Sequence, residues 1–176
     1  MMYTRVVVSI FEFLLSIAML GFGIYLNYRL IIKANPDFDM EDEIKKGNLA
    51  VGLLVAAIML STGMILQNVL YSVVAIFRMF INSSDGYDWK LPLIGIGHLV
   101  MGFVIAIVTI SVTLRTFGRL TRRMRDGEEL QKGNIAVGVL LASVVIVSAM
   151  FVGPGVGSLS KALMPQPSLG KIQILK

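Results

Sequence analysis

The sequence predicts an all-α integral membrane protein with four transmembrane helices, built by a tandem, parallel duplication of a two-helix unit. Three observations predict this fold: a composition suited to lipid, four long apolar runs, and a segment that occurs twice. Hydrophobic residues make up 56% of the 176 residues and charged residues 15%, and the mean hydropathy is +0.79. These values lie outside the range of soluble domains, so lipid is expected to solvate most of the chain.

Each apolar run is long enough to cross a membrane as a helix. The runs cover 6–28, 47–77, 91–114 and 133–160, and Glu12 is the only acidic residue inside them. About 20 helical residues cross a hydrocarbon core of roughly 30 Å. Backbone groups in lipid cannot bond to water, and the runs lack the strict alternation of a membrane barrel, so helices are expected.

A segment that begins at Asp42 recurs at Glu128, and both copies contain Lys-Gly-Asn-x-Ala-Val-Gly. Asn48 corresponds to Asn134 at a shift of 86 residues, and the same shift aligns the first span with the third. A unit with two crossings begins and ends on one side of the membrane. The repeats are therefore expected to be parallel, about a pseudo-two-fold axis along the membrane normal, unlike those of inverted-repeat transporters.

The repeat also predicts the division of the chain. We expect the first two-helix repeat at 1–81, an outer loop at 82–90, the second repeat at 91–164 and an extended tail at 165–176.

The second run is too long for one upright crossing, because 47–77 would extend about 45 Å as a helix. Its Gln67-Asn68 pair aligns with Gly153-Pro154. We expect both crossings to end there, with 69–81 continuing as a short interfacial or partly inserted helix and 156–164 as its shorter counterpart. A single tilted helix through Arg78 is the alternative.

Lys and Arg are concentrated in the loops 29–47 and 115–133. The excess of positive charge in these loops predicts that they are cytoplasmic and that the N- and C-termini lie outside.

The repeated motif heads a stripe of small residues in each long helix. On an α-helix the members of each stripe lie within about 80° of one another. They are Asn48, Gly52, Ala56 and Gly63 in the first copy, and Asn134, Gly138, Ala142 and Ala149 in the second. Such stripes favour close helix packing in lipid, with the amide bonding across the interface. The alternative is that the two asparagines line a polar entrance or ligand pocket.

Glu12 lies inside the first span, and the repeat places His98 at the matching position of the third. Ionisable groups in a membrane are functional candidates, and a Glu-His pair across the axis could carry a proton. Both lie about two turns from the outer edge, where a side chain can reach headgroups or water, so the alternative is a structural or interfacial role.

The segment 114–125 has apolar residues on one helical face and arginines on the other, as in helices that rest on anionic lipid. The predicted headgroup contacts are Arg115, Arg119, Arg122, Arg123 and Arg125. The acidic run 37–43 is interpreted as a solvated face with Asp39 as a helix cap, and Asp126 is the cap candidate in the second copy. A divalent cation site in that run is the alternative.

No catalytic or cofactor-binding signature is present in the sequence. The chain has no cysteine and one histidine, and its glycine clusters do not follow a strand and open a helix as nucleotide fingerprints do. We therefore expect no enzymatic activity, no cofactor and no metal. Nucleic acid is not an expected partner.

The duplicated Gly-Asn-x-Ala-Val-Gly helices, set in a two-span repeat, resemble the YjfL-type family of small inner-membrane proteins of unknown function. The resemblance covers about residues 5–155. It implies four spans and a prokaryotic inner-membrane location, and it carries over no catalytic residue.

Strong packing signals and sparse chemistry predict a non-enzymatic membrane scaffold or subunit. It is expected to form homo-oligomers or to join a larger membrane complex through its small-residue helix faces, with the lipid bilayer and anionic headgroups as further partners. The alternative is a small channel or transporter with a conduit along the repeat interface, lined by Glu12, His98, Asn48 and Asn134.

Overall fold

The computed structural model describes residues 2–32, 38–82 and 88–165. These residues form helices and connecting turns without a β-strand. The helices are α1 (Met2–Asn27), α2 (Met40–Lys45), α3 (Leu49–Ile81), α4 (Lys90–Leu120), α5 (Asp126–Gln131) and α6 (Ile135–Ala162). One π-helical segment, Tyr28–Ile32, continues α1. Most of the predicted outer loop and all but the first residue of the predicted tail lie outside the described residues.

Four of these helices are long and apolar enough to span a membrane, which confirms the predicted fold class. The spans run from 28 to 33 residues and have hydropathies of 2.2 to 2.8. The chain is thus an all-helical, multi-pass membrane protein. We call the end of the bundle that carries α2 and α5 the loop end, and the opposite end the terminal end.

Helix α3 lies at the centre of the bundle. It packs against α1, α4 and α6, and α6 is its most extensive neighbour. In the most apolar stretch of α3, 56% of the residues are buried, whereas the corresponding figure for α1 is 17%. Because lipid is as apolar as the side chains it meets, packing of this kind and buried hydrogen bonds hold such helices together.

The core continues along the whole of α3. Near the loop end, Leu54 and Ile58 of α3 pack in one cluster with Val145 of α6. Farther along, Ile65 and Val69 pack with Ala106 of α4 and Ala149 of α6.

The expected break at Gln67-Asn68 is wrong, because α3 continues without interruption to Ile81. The Asn68 amide donates to the Met64 carbonyl at 2.8 Å within the same helix, so its polar group does not force the chain out of helical geometry. The residues that follow are held by packing: Val69 is fully buried, and Phe77 stacks on Phe11 of α1 with ring centroids 3.7 Å apart. The alternative, one long helix, is what the structure has.

The corresponding break at Pro154 is also absent. Helix α6 includes Pro154 and extends to Ala162, so 156–164 does not form a separate shorter element. At about 1.5 Å per residue, α3 is about 50 Å long and exceeds the hydrocarbon thickness, so it tilts or projects beyond it.

Candidate functional site

The first Lys-Gly-Asn segment forms a tight turn at the loop end, between α2 and α3. Gly47 has φ of 79°, in the left-handed region that glycine favours. The Gly47 N–H donates to the Ile44 carbonyl at 2.9 Å and the Asn48 N–H donates to the Glu43 carbonyl at 3.0 Å. The Glu43 carboxylate accepts from Lys46 Nζ at 2.7 Å and from Asn48 Nδ2 at 2.9 Å. These bonds form a Schellman cap with an added charged clamp.

The second segment forms the same turn between α5 and α6. Gly133 has φ of 77°, and its N–H donates to the Leu130 carbonyl at 2.9 Å. The Asn134 N–H donates to the Glu129 carbonyl at 3.0 Å. The Glu129 carboxylate accepts from Lys132 Nζ at 2.6 Å and from Asn134 Nδ2 at 2.9 Å. The structural unit is therefore Glu-x-x-Lys-Gly-Asn, which extends the motif seen in the sequence by one glutamate.

The clamp shifts the pKa of each of its charged groups. The hydrogen bond from Lys46, followed by that from Asn48, lowers the pKa of Glu43, and the same bond raises the pKa of Lys46. In the second turn the bond between Lys132 and Glu129 lowers the pKa of the carboxyl and raises that of the amine. Both turns are therefore stabilised when the carboxylate and the ammonium are charged.

The two asparagines differ in their contacts beyond the turn. Asn48 caps α3, because its Oδ1 accepts from the Val51 N–H at 3.3 Å. Its Nδ2 also donates to the Leu130 carbonyl of α5 at 2.7 Å, which ties the two turns together. Asn134 makes no side-chain cap bond to α6. In the described part of the chain the Asn48 amide therefore contacts the other turn, whereas the Asn134 amide bonds within its own turn.

Small residues of α6 face α3 and allow a close approach. A Cβ built on Gly138 would lie 2.6 Å from the Ala50 carbonyl oxygen, which is too close for any side chain. Ala149 is buried and Ala142 is half-buried.

Asn68 of α3 lies in a second close contact with α6. A Cβ on Gly153 would lie 2.8 Å from Asn68 Nδ2, and one on Gly157 would lie 3.3 Å from Asn68 Cβ. This glycine pair, spaced by four residues, forms the groove that holds the Asn68 side chain.

The small residues predicted on α3, in contrast, face away from the neighbouring helices. Ala56 and Gly63 are exposed, Gly52 is half-buried, and a Cβ on either glycine would have no atom of the described residues within 4 Å. Gln67 is exposed on the same side of α3 and lies near the middle of that helix. Its amide reaches the Tyr71 hydroxyl at 3.5 Å, the long limit of a hydrogen bond. We call Gly52, Ala56, Gly63 and Gln67 the outer stripe of α3.

Glu12 and His98 do not form the predicted pair. Glu12 is half-buried and lines a cleft of about 620 Å³ at the terminal end, together with Arg5 of α1 and Arg78 of α3. Glu12 thus shares a cleft with two basic residues, while the His98 imidazole has other hydrogen-bond partners. Both α1 and α4 pack against α3, but Glu12 shares its cleft with Arg78 of α3, whereas His98 faces α6, so the two side chains do not meet.

His98 is buried between α4 and α6. Its Nδ1 lies 2.8 Å from the Ile94 carbonyl and its Nε2 lies 3.0 Å from the Ser160 carbonyl. The Met164 N–H, which would bond Ser160 in a continued helix, bonds Lys161 instead, so His98 meets an unpaired carbonyl at the end of α6. A neutral ring carries one N–H and donates to one of the two carbonyls at a time.

The predicted headgroup arginines separate into two sets. Arg115, Arg119 and Arg125 line a cavity of about 640 Å³ at the loop end, whereas Arg122 and Arg123 are exposed and do not line it.

The acidic run supplies caps and ion pairs. Asp39 caps α2 as predicted, with Oδ1 accepting from the Glu41 N–H at 2.9 Å, and Lys45 Nζ lies 2.9 Å from Glu41 Oε1. Asp126 is not the cap of α5. Arg125 occupies that position with φ of 49°, and Asp126 accepts from the Thr121 hydroxyl. Among the described residues no group of three His, Cys, Asp or Glu side chains could hold a metal ion. Asp37, where the run begins, lies outside the described residues.

Several buried polar side chains have no counterpart among the predicted site residues. Asn27 of α1 is buried, and its Oδ1 accepts from the Thr62 hydroxyl of α3 at 3.0 Å. The hydroxyls of Ser61, Ser72 and Ser160 are buried without a partner in the described part of the chain. Asparagine and serine inside apolar runs are a visible signal in the sequence, but the helix that each one faces is not.

A family model described as Domain of Unknown Function (DUF350) matches residues 1–156. The matched part includes α1 to α5 and most of α6, with both Glu-x-x-Lys-Gly-Asn turns. No curated protein and no solved structure matches the chain.

Proposed function

The chain belongs to the DUF350 family, and from this premise we propose that it is a non-enzymatic membrane scaffold or subunit. It forms homo-oligomers or joins a larger membrane complex through the outer stripe of α3. The observation that carries this proposal is the exposure of Ala56, Gly63 and Gln67, with open space beside the half-buried Gly52, on the helix that is otherwise the most buried.

Gln67 gives a second reason to expect an interface at the outer stripe of α3. The four positions lie within about 60° on a helix, so they form one continuous face. A polar amide exposed to hydrocarbon is costly, and a second helix can satisfy it by a hydrogen bond across an interface that small residues hold close. Interhelical bonds of this kind contribute roughly 0.6 to 2 kcal/mol in membranes.

The packing of α1 also supports association. Within the described residues α1 has no contact with α6 comparable to the close packing of α4 against α3. Much of α1 is exposed, including Phe13 and Leu20, each at 65%. A neighbouring subunit would cover surface that lipid covers in a lone chain.

Disulfide cross-linking tests this proposal directly, because the chain has no cysteine of its own. We expect Ala56→Cys and Gly63→Cys to form cross-linked dimers in membranes. Val147→Cys, exposed at 49% on α6, serves as the control and should cross-link much less. Gln67→Leu should reduce the fraction of oligomer by several-fold. A monomeric mass in mild detergent, with cross-linking no higher than in the control, would refute the proposal.

We further propose that the chain lies in the prokaryotic inner membrane with both termini outside and the loops 29–47 and 115–133 cytoplasmic. The distribution of Lys and Arg supports this orientation. We also propose that the chain is of the YjfL type and that it arose by tandem duplication. The two matching turns and the long helices that follow them support both proposals. Anionic lipid headgroups are the proposed partners of the basic segment 114–125.

A small channel or transporter is the alternative function. Its proposed lining residues lie apart: Asn48 and Asn134 belong to the turns at the loop end, while Glu12 and His98 occupy separate places toward the terminal end. A conduit between α3 and α6 would require these closely packed helices to separate. Flux in proteoliposomes that changes in Glu12→Ala and His98→Ala would favour this alternative over the scaffold.

A further inference from the structure

A cavity of about 640 Å³ lies at the loop end, where the end of α4 and the segment after α1 meet α2 and α5. Its volume lies in the range of small-ligand pockets. Its floor is made of core side chains, among them Leu54 at 2%, Leu141 at 3% and Met40 at 4% exposure. The cavity thus continues from the apolar core to the polar end of the bundle, which is the arrangement an amphiphile requires.

The mouth of the cavity carries uncompensated positive charge. Arg115 and Arg119 lie one turn apart on α4 and are exposed, and neither forms an ion pair with a described residue. Arg125 pairs with Glu128 at 3.1 Å. Together with Asp126, these groups give the described lining residues one net positive charge.

Asp126 lies at one side of the cavity. Its Oδ2 accepts from the Thr121 hydroxyl, and its Oδ1 is buried without a hydrogen bond in the described part of the chain. Oδ2 would lie 3.9 Å from a Cβ on Gly118, so the carboxylate lies beside the face of α4 that carries the arginines. Because Oδ1 is buried, the exposed arginines are the groups that can bind a ligand headgroup.

We propose that this cavity binds one anionic glycerophospholipid. The phosphate lies between Arg115 and Arg119, and an acyl chain begins along the floor formed by Leu54 and Leu141. The single negative charge of this lipid complements the net charge of the cavity, which a zwitterionic headgroup does not. Leu114, the last residue before Arg115, places the boundary between apolar and charged surface at headgroup level.

This inference goes beyond the association proposed for α3, since the cavity and the outer stripe have no residue in common. It also differs from general attraction of the basic segment to lipid, because it assigns different roles to arginines of the same segment.

The test is lipid binding to the purified full-length protein in mild detergent, followed by native mass spectrometry. The probes are phosphatidylglycerol and phosphatidylcholine with identical acyl chains. We expect one phosphatidylglycerol per chain and weaker binding of phosphatidylcholine. The Arg115→Gln/Arg119→Gln variant should bind phosphatidylglycerol about tenfold more weakly or worse, because charge-assisted hydrogen bonds contribute roughly 1.5 to 3 kcal/mol.

The matched control is Arg122→Gln/Arg123→Gln, which removes the same charge from the same segment outside the cavity. It should keep affinity within about twofold of the original chain, whereas equal losses in both variants would show general surface attraction and overturn the site. Gly118→Leu narrows the cavity without changing charge and should weaken binding, and unchanged binding would likewise overturn the proposal. Equal affinity for phosphatidylglycerol and phosphatidylcholine would show that the cavity does not select a negative charge, and it would also overturn the proposal.

Discussion

Two glycines at matching places in the chain, Gly52 and Gly138, have opposite surroundings. Gly138 meets the backbone of Ala50, while Gly52 faces open space. Their sequence context predicts close packing for both, because each follows Asn-x-Ala-Val. Which neighbour each one meets depends on how α3 and α6 are rotated, and a single sequence does not contain that rotation.

Replacing each of these two glycines with alanine gives a matched pair of variants. We expect Gly138→Ala to lower the free energy of unfolding by about 1 to 3 kcal/mol, because the new methyl group would collide with a backbone carbonyl. Gly52→Ala should be neutral or stabilising by up to about 1 kcal/mol, since alanine favours the helix more than glycine does. Unfolding in detergent at a concentration where the protein is monomeric measures both, and equal effects of the two changes would contradict the packing described for Gly138.

The polar residues show the same limit of prediction from a single sequence. The sequence identifies Glu12 and His98 as ionisable groups inside apolar runs, but not their partners. Glu12 lies near Arg78, which is 66 positions away along the chain, and His98 contacts the end of α6. Contacts of such long separation depend on tertiary packing, so the repeat alone placed the two residues together incorrectly.

Among the elements, the Glu-x-x-Lys-Gly-Asn turn was the most predictable. All its bonds join residues at most five positions apart, and the glycine is required by a left-handed backbone that other residues rarely adopt. The length of α3 was the least predictable. Hydrophobic length does not determine whether a helix tilts or breaks, and the contacts that hold 69–81 in line are made with other helices.

The charged clamps of the two turns predict a dependence of stability on pH. Glu43 and Glu129 have a pKa lowered from 4.5, so their stabilisation is complete above about pH 4.5 and is lost as the pH falls through the lowered values. Lys46 and Lys132 have a pKa raised from 10.5, so their contribution is lost only as the pH rises above about 10.5. We expect a plateau between these limits and a loss of stability in acid.

The measurement is the unfolding midpoint in detergent as a function of pH for the original chain and for Glu43→Gln/Glu129→Gln. The double variant should be less stable at neutral pH and should lose less stability on acidification. Glu128→Gln, which removes an exposed pair with Arg125, is the control. Parallel acid profiles for the original chain and the double variant would contradict the clamp.

At the scale of the whole molecule, composition and run length were sufficient to predict four spans, since both follow from the chemistry of lipid. The central position of α3 was not predictable. Two similar helices, α3 and α6, would be expected to be buried equally, but within the described residues α3 packs closely against three long helices and α6 against two.

Orientation in the membrane is a prediction for the molecule as a whole. We expect a membrane-impermeant maleimide to label Tyr3→Cys in right-side-out vesicles, because Tyr3 is 85% exposed near the N-terminus. Met124→Cys, which lies in the loop 115–133, should be labelled only after the membrane is permeabilised. The absence of other cysteines makes the signal specific, and the reverse pattern would show that the termini are cytoplasmic.

The central position of α3 has a consequence for how the protein is made. The hydrogen bond between Asn27 and Thr62 joins two helices that leave the ribosome in succession, so it can form early. The bond from Asn48 to the Leu130 carbonyl waits until α5 has been synthesised. In the interval, the newly inserted pair of helices presents Ala50 and Asn68 without Gly138 and Gly153 of α6, which they contact in the complete bundle. We therefore expect a nascent chain that is stopped before α4 to stay bound to the insertion machinery. The chain should be released from that machinery once α6 has been inserted.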